Sequence, residues 1–314
     1  MKIAFIGLGS IAKRHIKNLA EILTDKGISF SIDVFRHSGG EIDDGEVKEI
    51  VAGVYTDGEL AEHQYDIIFI TNPTSLHFQT IKKCAKQAKH LFIEKPVFDS
   101  PDVDIAELEL QEGSTYYVAC PLRYTAVLQY VKENVDLSEV FSVRAISSSY
   151  LPDWRPGIDY RKTYSANKEL GGGVAIDLIH EWDYLTAFFG FPQKLYGVER
   201  KVSALEITSN DIAAYIGIYA DKIIELHLDY FGRKTTRELV LFTKDETIRA
   251  DLVEHKVVYE KSGKVISLTE DRNEFQKREL CHFLDIIDGK VANDNTVSNA
   301  LQVLKLADSA EKEV

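Results

Sequence analysis

The sequence predicts an α/β domain with a doubly wound parallel sheet over residues 1–120, followed by an α+β domain over residues 121–314. The second domain should have an open, mainly antiparallel sheet with helices on one face. Two patterns indicate this division: apolar runs alternate with amphipathic stretches up to about residue 120, and long period-two alternation follows. With 314 residues and 45% hydrophobic content, the chain can form two sizeable cores.

Strand-like apolar runs define the first domain. They are KIAFIG, SFSIDVF, YDIIFIT, HLFIE and TYYVA, and segments with helical spacing such as HFQTIKKCAKQAK separate them. Uninterrupted apolar runs are typical of strands buried on both faces, and the helices between them supply crossover connections. We therefore expect a parallel sheet covered by helices on both sides.

Period-two alternation defines the second domain. It occurs in VFSVRAISSSYL, AAYIGIYADKIIELHLDYF, RELVLFTKDETIRADL and HKVVYEKSGKVISL. Turn-like residues join the alternating runs. Two amphipathic helices, roughly Glu274 to Asp288 and Thr296 to Glu311, should end the chain. A wide sheet with helices on one face leaves the other face exposed, so we expect a homodimer or homotetramer formed through that face.

Composition excludes several classes of partner. A formal charge of -13 argues against nucleic acid, because such binding depends on clustered lysine and arginine. A local basic pocket for a small charged substrate is still compatible with this charge. No apolar run approaches the roughly 18 residues of a membrane span, and the first residues fit neither a signal nor a transit peptide. We expect a cytoplasmic protein without a membrane partner.

The cysteines indicate neither a disulfide framework nor a structural zinc site. Cys84, Cys120 and Cys281 are far apart in sequence and form no CxxC pair. We predict three buried thiols.

The segment IAFIGLGSIAKRH carries the first chemical signal. A strand, the pattern Gly7-x-Gly9-x-x-Ala12 and a helical run follow one another, as a dinucleotide-binding turn requires. Gly7 permits the turn, Gly9 lets a pyrophosphate approach, and the amides at the helix start face that anion. The predicted cofactor contacts here are Gly7, Leu8, Gly9, Ser10 and Ile11. The alternative is a plain strand-to-helix turn whose glycines only relieve steric crowding.

The end of the second strand distinguishes the two nicotinamide cofactors. An acidic residue there would bind the ribose 2′-hydroxyl, whereas an arginine would pair with a 2′-phosphate. Arg36 and Ser38 follow the apolar part of the strand, so we favour NADP(H) over NAD(H). Asp33 competes for this role, but we place it inside the strand. A solvated surface charge is the alternative interpretation of Arg36.

Two further strand ends carry polar residues. Proline disfavours helical conformation in the residue before it, so Lys95 of the Glu-Lys-Pro run should be extended at its strand end. Ligands of open parallel sheets bind at that edge. We predict cofactor contacts from Thr71, Asn72, His77, Glu94 and Lys95, although an ordinary loop would also explain a Lys-Pro pair.

Five motifs occur in the order found in the glucose-fructose oxidoreductase, inositol dehydrogenase and MocA (Gfo/Idh/MocA) family, which the chain resembles over nearly its whole length. They are GLGSIA, TNPTSLH, FIEKP, PLRY and GGGVAIDLIHEWD. The resemblance implies a Rossmann domain, a C-terminal α+β domain, and nicotinamide-dependent oxidation or reduction of sugars, polyols or related compounds. It also implies that Lys95 and His180 are catalytic and that Asp177 assists. Many members have the spacing DxxxH, whereas this chain has Asp177-Leu-Ile-His180.

The stretch GGGVAIDLIHEWDYL suits this chemistry. Its glycines let the backbone approach a ligand, and on a helix Asp177, His180 and Asp183 would form a polar ridge. His180 is our general base, and Lys95 would stabilise the developing alkoxide. We expect both groups to act beside one nicotinamide ring. A capping aspartate and a hydrogen-bonded core histidine are the alternative.

The segment LPDWRPGIDYRKTYSANKEL interleaves aromatic and basic residues, which suits stacking on a sugar or base and pairing with an anion. This composition favours a sugar that carries phosphate, nucleotide diphosphate or carboxylate, although a solvated loop would also explain it. The predicted substrate contacts are Arg123, Tyr124, Trp154, Arg155, Tyr160, Arg161 and Asp183.

Other functions receive less support. HEWDYL begins like a zincin motif, but Tyr184 replaces the second histidine, so we predict no metal site. Tyr230 and Lys234 mimic a short-chain dehydrogenase dyad, but they lie in a strand-like run far from any suitable nucleotide turn. A regulator that senses NADP(H) or a sugar without turnover would need neither Lys95 nor His180. A cofactor-dependent eliminase or glycosidase on the same fold is the third alternative.

Overall fold

The computed structural model describes residues 1–37 and 40–312. These residues form two compact units. The first contains Met1–Pro121 and Arg272–Gln302, and the second contains Leu122–Asp271 and the residues from Val303 onward.

The first unit contains a six-stranded parallel sheet in the order β3-β2-β1-β4-β5-β6. Its strands are β1 (Lys2–Ile6), β2 (Ser31–Arg36), β3 (Val51–Thr56), β4 (Tyr65–Ile70), β5 (Ala88–Ile93) and β6 (Thr115–Val118). Its first helices are α1 (Ser10–Asp25), α2 (Gly45–Ile50) and α3 (His77–Cys84). The predicted doubly wound parallel sheet is confirmed. The order reverses between β1 and β4, which places a ligand crevice at their carboxyl ends.

The edge strand β3 is an element that the sequence analysis did not identify. Its residues alternate between partly covered and exposed, and none is fully buried. An edge strand pairs on one side only and lacks the continuous apolar run of the central strands.

The second unit contains a nine-stranded sheet in the order β14-β13-β12-β11-β7-β10-β9-β8-β15. Its strands are β7 (Val140–Tyr150), β8 (Lys194–Arg200), β9 (Ile212–Ile218), β10 (Ile223–Asp229), β11 (Phe231–Thr243), β12 (Thr247–Asp251), β13 (Lys256–Tyr259), β14 (Lys264–Ser267) and β15 (Glu311–Lys312). The pairs β7–β10 and β8–β15 are parallel and the others are antiparallel. The predicted mainly antiparallel sheet is therefore confirmed.

The remaining helices are α4 (Ala126–Asn134), α5 (Val174–Asp177), α6 (His180–Phe189), α7 (Glu274–Ile287) and α8 (Val297–Asp308). The predicted C-terminal helices correspond to α7 and α8.

Residues 272–302 belong to the first unit, which differs from the predicted division at residue 120. In α7, the fully buried Phe283 packs edge-on against Phe92 of β5, with ring centroids 5.3 Å apart. At the sheet edge, the amide of Val118 donates to the Asn295 carbonyl at 2.9 Å, and Asn295 Nδ2 donates to the Val118 carbonyl at 2.8 Å. The chain thus returns to the first sheet, and a pattern that depends on sequence neighbours does not reveal this return.

Two of the three cysteines, Cys84 and Cys120, are buried as predicted, whereas Cys281 is partly exposed. Among the helices of the described residues, none has the length and apolar character that crossing a membrane requires.

Candidate functional site

The turn between β1 and α1 has the geometry of an anion-binding site. Gly7 has φ +90°, and a Cβ atom there would lie 3.0 Å from the Asn72 Cα. Gly9 caps α1 in an extended conformation, and a Cβ there would meet no described atom within 4 Å. The first turn, from Ser10 through Ile11 to Lys13, contains no acidic residue, and its leading amides lack intrahelical acceptors. Open space before these amides, next to the half-buried Leu8, suits a pyrophosphate.

A cavity of about 270 Å³ lies in the first unit. The amide Nδ2 of Asn72 donates to Thr80 Oγ1 at 2.8 Å, and its buried Oδ1 has no hydrogen-bond partner among the described residues. A buried acceptor without a partner is unfavourable, and a ribose hydroxyl would satisfy it. The cavity, the buried Asn72 acceptor and the adjacent β1–α1 turn therefore fit a dinucleotide. The cavity is lined by Ile6, Phe35, His37, Asp57, Leu60, Asn72, Leu76, Gln79, Thr80 and Lys83.

Arg36 is the last residue of β2, and Asp33 lies inside the strand. Asp33 accepts a hydrogen bond from the Tyr65 hydroxyl at 2.9 Å, so the sheet itself uses this carboxylate. Among the residues that the structure describes, the guanidinium of Arg36 donates to the carbonyls of Gly40 and Glu41, both at 3.4 Å. The predicted cofactor contact Ser38 lies outside the described residues.

Thr71 and His77 connect strand ends within the protein, and their contact with the cofactor stays a prediction. Thr71 is buried, and its hydroxyl donates to the Ile6 carbonyl at 3.0 Å. His77 is 1% exposed, and its Nε2 lies 3.1 Å from the Asn72 carbonyl. Its Nδ1 lies 3.1 Å from the Pro96 carbonyl. Burial lowers the pKa of His77, while the hydrogen bonds to these carbonyls act in the opposite direction.

Glu94 also has an internal role. One carboxylate oxygen lies 2.6 Å from His15 Nε2, and the other accepts from the Lys95 amide at 3.3 Å. Burial opposes ionisation, but the hydrogen bond and charge of His15, together with the charge of Lys95, hold the pKa of Glu94 below its ordinary value. The ionised carboxylate therefore accepts from both donors. Glu94 thus positions the Lys95 backbone, and its contact with the cofactor stays a prediction.

His15 is a site residue that the sequence analysis missed. It is 1% exposed and lies on the face of α1 that also buries Ala12 and Leu19. A histidine in the apolar phase of an amphipathic helix, three and four residues from apolar positions, is the signal that could have identified it.

Lys95 follows β5 and is half-buried, with a cis peptide bond to Pro96. Its amide is held by Glu94, and the carbonyl of Pro96 contacts His77. The backbone of Lys95 is thus fixed at the strand edge that the sequence predicted.

In the second unit, Asp177 and His180 lie on two short helices instead of one. Asp177 ends α5, residues 178–179 interrupt the helix, and His180 begins α6. Both residues are half-buried. The glycines before α5 include Gly171 at φ +82° and Gly173 at φ +156°, which agrees with the predicted sharp backbone turn.

Arg123 and Asp183 bind each other. The Nε of Arg123 donates to Asp183 Oδ2 at 2.9 Å, and Nη2 donates to Oδ1 at 2.7 Å. Both residues are buried, as is Tyr124. A buried guanidinium and carboxylate satisfy each other in this bidentate geometry. Asp183 thus pairs with Arg123, and the substrate contacts predicted for these three residues stay predictions.

Tyr230 donates a hydrogen bond to Asp177 Oδ2 at 2.5 Å. Burial, together with the nearby charge of Asp177, raises the pKa of Tyr230, so the phenol is the donor. The sequence analysis considered Tyr230 only as part of a dyad with Lys234. No local pattern pairs it with Asp177, because the sheet brings the two residues together.

The aromatic and basic segment contains exposed side chains and side chains that bind other residues of the protein. Trp154 is 36% exposed, and Tyr160 accepts a hydrogen bond from the Glu206 amide at 3.2 Å. Arg161 binds Asp159 at 2.8 Å and Glu206 at 3.1 Å. These carboxylates compensate its charge, and the pairing of Arg161 with a substrate anion stays a prediction. Arg155 is exposed and forms no ion pair with any residue that the structure describes.

Comparisons with known proteins agree with the Rossmann fold of the first unit. Residues 1–118 match the family model described as "Oxidoreductase family, NAD-binding Rossmann fold". The chain is 30% identical over 190 residues to the uncharacterized oxidoreductase YrbE of Bacillus subtilis, covering 59% of this chain and 52% of that protein. It is 27% identical over 195 residues to myo-inositol 2-dehydrogenase of Thermotoga maritima, covering 60% and 55%. The chain thus spans about half the length of each relative.

The fold also resembles that of a levoglucosan dehydrogenase solved in complex with NADH. The TM-score is 0.82, with 14% sequence identity over 98% of this chain and 95% of the other. At this identity the likeness concerns the fold.

Proposed function

Because the chain belongs to the Gfo/Idh/MocA family of oxidoreductases, we propose that it is an NAD(P)-dependent dehydrogenase or reductase. It would transfer a hydride between a nicotinamide cofactor and the hydroxyl or carbonyl carbon of a sugar, sugar acid or nucleotide sugar. The main supporting observation is that the Lys95 backbone is held at the carboxyl edge of the sheet that also carries the open β1–α1 turn.

The bound nicotinamide would supply the hydride acceptor or donor. In the oxidation direction, His180 takes the hydroxyl proton, because an imidazole nitrogen can accept a proton and later return it. The Lys95 ammonium stabilises negative charge on the same oxygen. Asp177, which Tyr230 holds at one carboxylate oxygen, orients the imidazole or contacts the substrate. In the reduction direction His180 returns the proton.

NADP(H) is the proposed preferred cofactor, with NAD(H) as the alternative. Arg36 ends β2 and donates to two backbone carbonyls of the described residues at 3.4 Å, whereas the competing Asp33 accepts a hydrogen bond from Tyr65. A guanidinium at this strand end suits a 2′-phosphate.

A homodimer or homotetramer formed through the outer face of the second sheet remains a proposal. Exposed apolar side chains lie on that face of neighbouring strands, and such a patch favours association. Sedimentation that shows only monomer would contradict this proposal. The residues concerned are Tyr196, Val198, Ile216 and Ile223, which are 53%, 39%, 46% and 45% exposed.

The catalytic roles are tested with Lys95→Ala and His180→Ala in assays that follow cofactor reduction. Sugars, sugar acids and nucleotide sugars are screened with NADP⁺ and NAD⁺. We expect both variants to fold and to quench tryptophan fluorescence on binding cofactor, while turnover falls on the order of 10²- to 10⁴-fold. Lys89→Ala, at an exposed lysine of β5, is the matched control.

Near-normal turnover in both variants would contradict the proposed mechanism. Tight cofactor binding without reduction of any substrate in the wild type would instead favour a regulator.

A further inference from the structure

A bulge of four residues interrupts the pairing of β11 with β7. Phe231 pairs with Tyr150, and the next pair is Thr236 with Ser148, so residues 232–235 oppose Ser149 alone. Bulges redirect side chains and are common beside active sites. Arg233 and Lys234 are the charged residues of this bulge, and both are exposed.

The base of the bulge is held in place by Asp229. Its carboxylate accepts from the amides of Phe231 at 3.0 Å and Gly232 at 2.8 Å. A Cβ atom at Gly232 would overlap the Ser148 hydroxyl, so the backbone approaches β7 as only glycine permits. The position of Arg233 therefore depends on a fixed backbone.

Arg233 stacks on an aromatic ring. Its guanidinium carbon lies 3.8 Å from the centroid of the Tyr150 ring. Neither Arg233 nor Lys234 forms an ion pair with a described residue, and the same holds for Arg155, whereas Arg144 binds Glu225 at 3.0 Å. A stacked guanidinium keeps its N–H donors at the rim, where they can bind an oxyanion. Uncompensated cations are unexpected on a chain of charge -13.

Contacts connect this cluster to Asp177. The Nε1 of Trp154 donates to Ser149 at 2.9 Å, opposite the bulge. The Trp154 ring meets Tyr230 edge-on at 5.3 Å, and Tyr230 donates to Asp177. Tyr230 precedes Arg233 by three residues. Trp154 and Tyr230 thus connect the bulge to a predicted catalytic residue within the same unit.

We propose that Arg233, with Lys234 and Arg155, binds a phosphate group of the substrate away from the carbon that reacts. This inference rests on the proposed function and narrows its substrate class to phosphorylated sugars or nucleotide sugars. Several cations suit a phosphate of charge near −2 better than a single carboxylate. Arg233 and Lys234 thereby join Arg155, which lies in the segment for which the sequence predicted anion binding.

Isothermal titration calorimetry of the full chain tests the proposal, with excess NADPH present to fill the dinucleotide site. The probes are UDP and glucose 6-phosphate, with uridine and glucose as their uncharged counterparts and gluconate as the carboxylate. We expect at least one phosphate probe to bind more tightly than its counterpart, with an affinity that falls as salt rises. Binding of UDP alone would indicate a nucleotide sugar, and binding of glucose 6-phosphate a sugar phosphate.

Arg233→Gln should weaken phosphate binding about 10- to 100-fold, the loss of one charge-assisted contact. Arg144→Gln removes the same charge from an exposed site on β7 and should leave binding unchanged. Lys234→Gln provides a second variant, and thermal melting checks that each folds.

Phosphate probes that bind no better than uridine, glucose or gluconate would overturn the proposal, as would equal affinity in Arg233→Gln and wild type. These binding results are independent of turnover. Phosphate binding that depends on Arg233 in a protein without dehydrogenase activity would contradict the proposed function instead.

Discussion

Replacing Glu94 by glutamine removes a buried charge while keeping the side-chain size. The carboxylate accepts from His15 Nε2 at 2.6 Å and from the Lys95 amide at 3.3 Å. Glutamine offers one acceptor oxygen and one NH₂ donor, so one of these two donors loses its acceptor. Hydrogen bonds to charged groups contribute about 1.5–3 kcal/mol, and an unsatisfied buried donor costs about 1–3 kcal/mol. Because the second bond is long, we expect the free energy of unfolding to fall by about 2–4 kcal/mol.

The effect of Glu94→Gln should depend on pH. The folded protein lowers the pKa of Glu94, so the ionised carboxylate contributes stability that is fully present above its unfolded pKa of about 4.3. This contribution is lost as the pH falls through the lower, folded pKa. Glutamine does not titrate, so the stability difference between wild type and variant should be largest near neutrality and shrink below about pH 4.

Urea denaturation at several pH values, followed by circular dichroism, measures this difference. The control is Glu21→Gln, which removes an exposed charge that pairs with Lys277 at 2.6 Å and should cost less than about 1 kcal/mol. The role assigned to the pair of His15 and Glu94 would be refuted if the Glu94→Gln variant were as stable as wild type at neutral pH. It would also be refuted if the stability difference stayed constant down to acidic pH.

Two further substitutions test the cofactor preference and the buried pair of Arg123 and Asp183. Arg36→Ala should raise the dissociation constant of NADPH about 10- to 100-fold and that of NADH less than about twofold, as measured by tryptophan quenching. Equal weakening of both cofactors would exclude a 2′-phosphate contact. Asp183→Asn should destabilise the protein by about 3–5 kcal/mol, because it leaves the buried Arg123 guanidinium incompletely paired. Asp159→Asn at the exposed pair with Arg161 should lower the free energy of unfolding by less than about 1 kcal/mol. If denaturation showed similar losses for Asp183→Asn and Asp159→Asn, the explanation from burial would be wrong.

The sequence by itself determined the features that depend on neighbouring residues. The parallel sheet follows from uninterrupted apolar runs, and the antiparallel sheet from strict alternation, because side-chain direction repeats along a strand. The turn at Gly7 could also be predicted, because its strand, glycine spacing and helix are contiguous in the sequence. Lys95 could be placed at a strand end because proline restricts the residue before it.

Only the tertiary structure decided which polar side chains bind one another. His15 and Glu94 are 79 residues apart, Arg123 and Asp183 are 60 apart, and Asp177 and Tyr230 are 53 apart. Each residue alone is compatible with a surface, cofactor or substrate contact. Their partners depend on strand order and on which helix face packs against the sheet, and these are properties of the folded chain. Burial then makes each internal pairing necessary, because a polar group removed from water needs a hydrogen-bond partner.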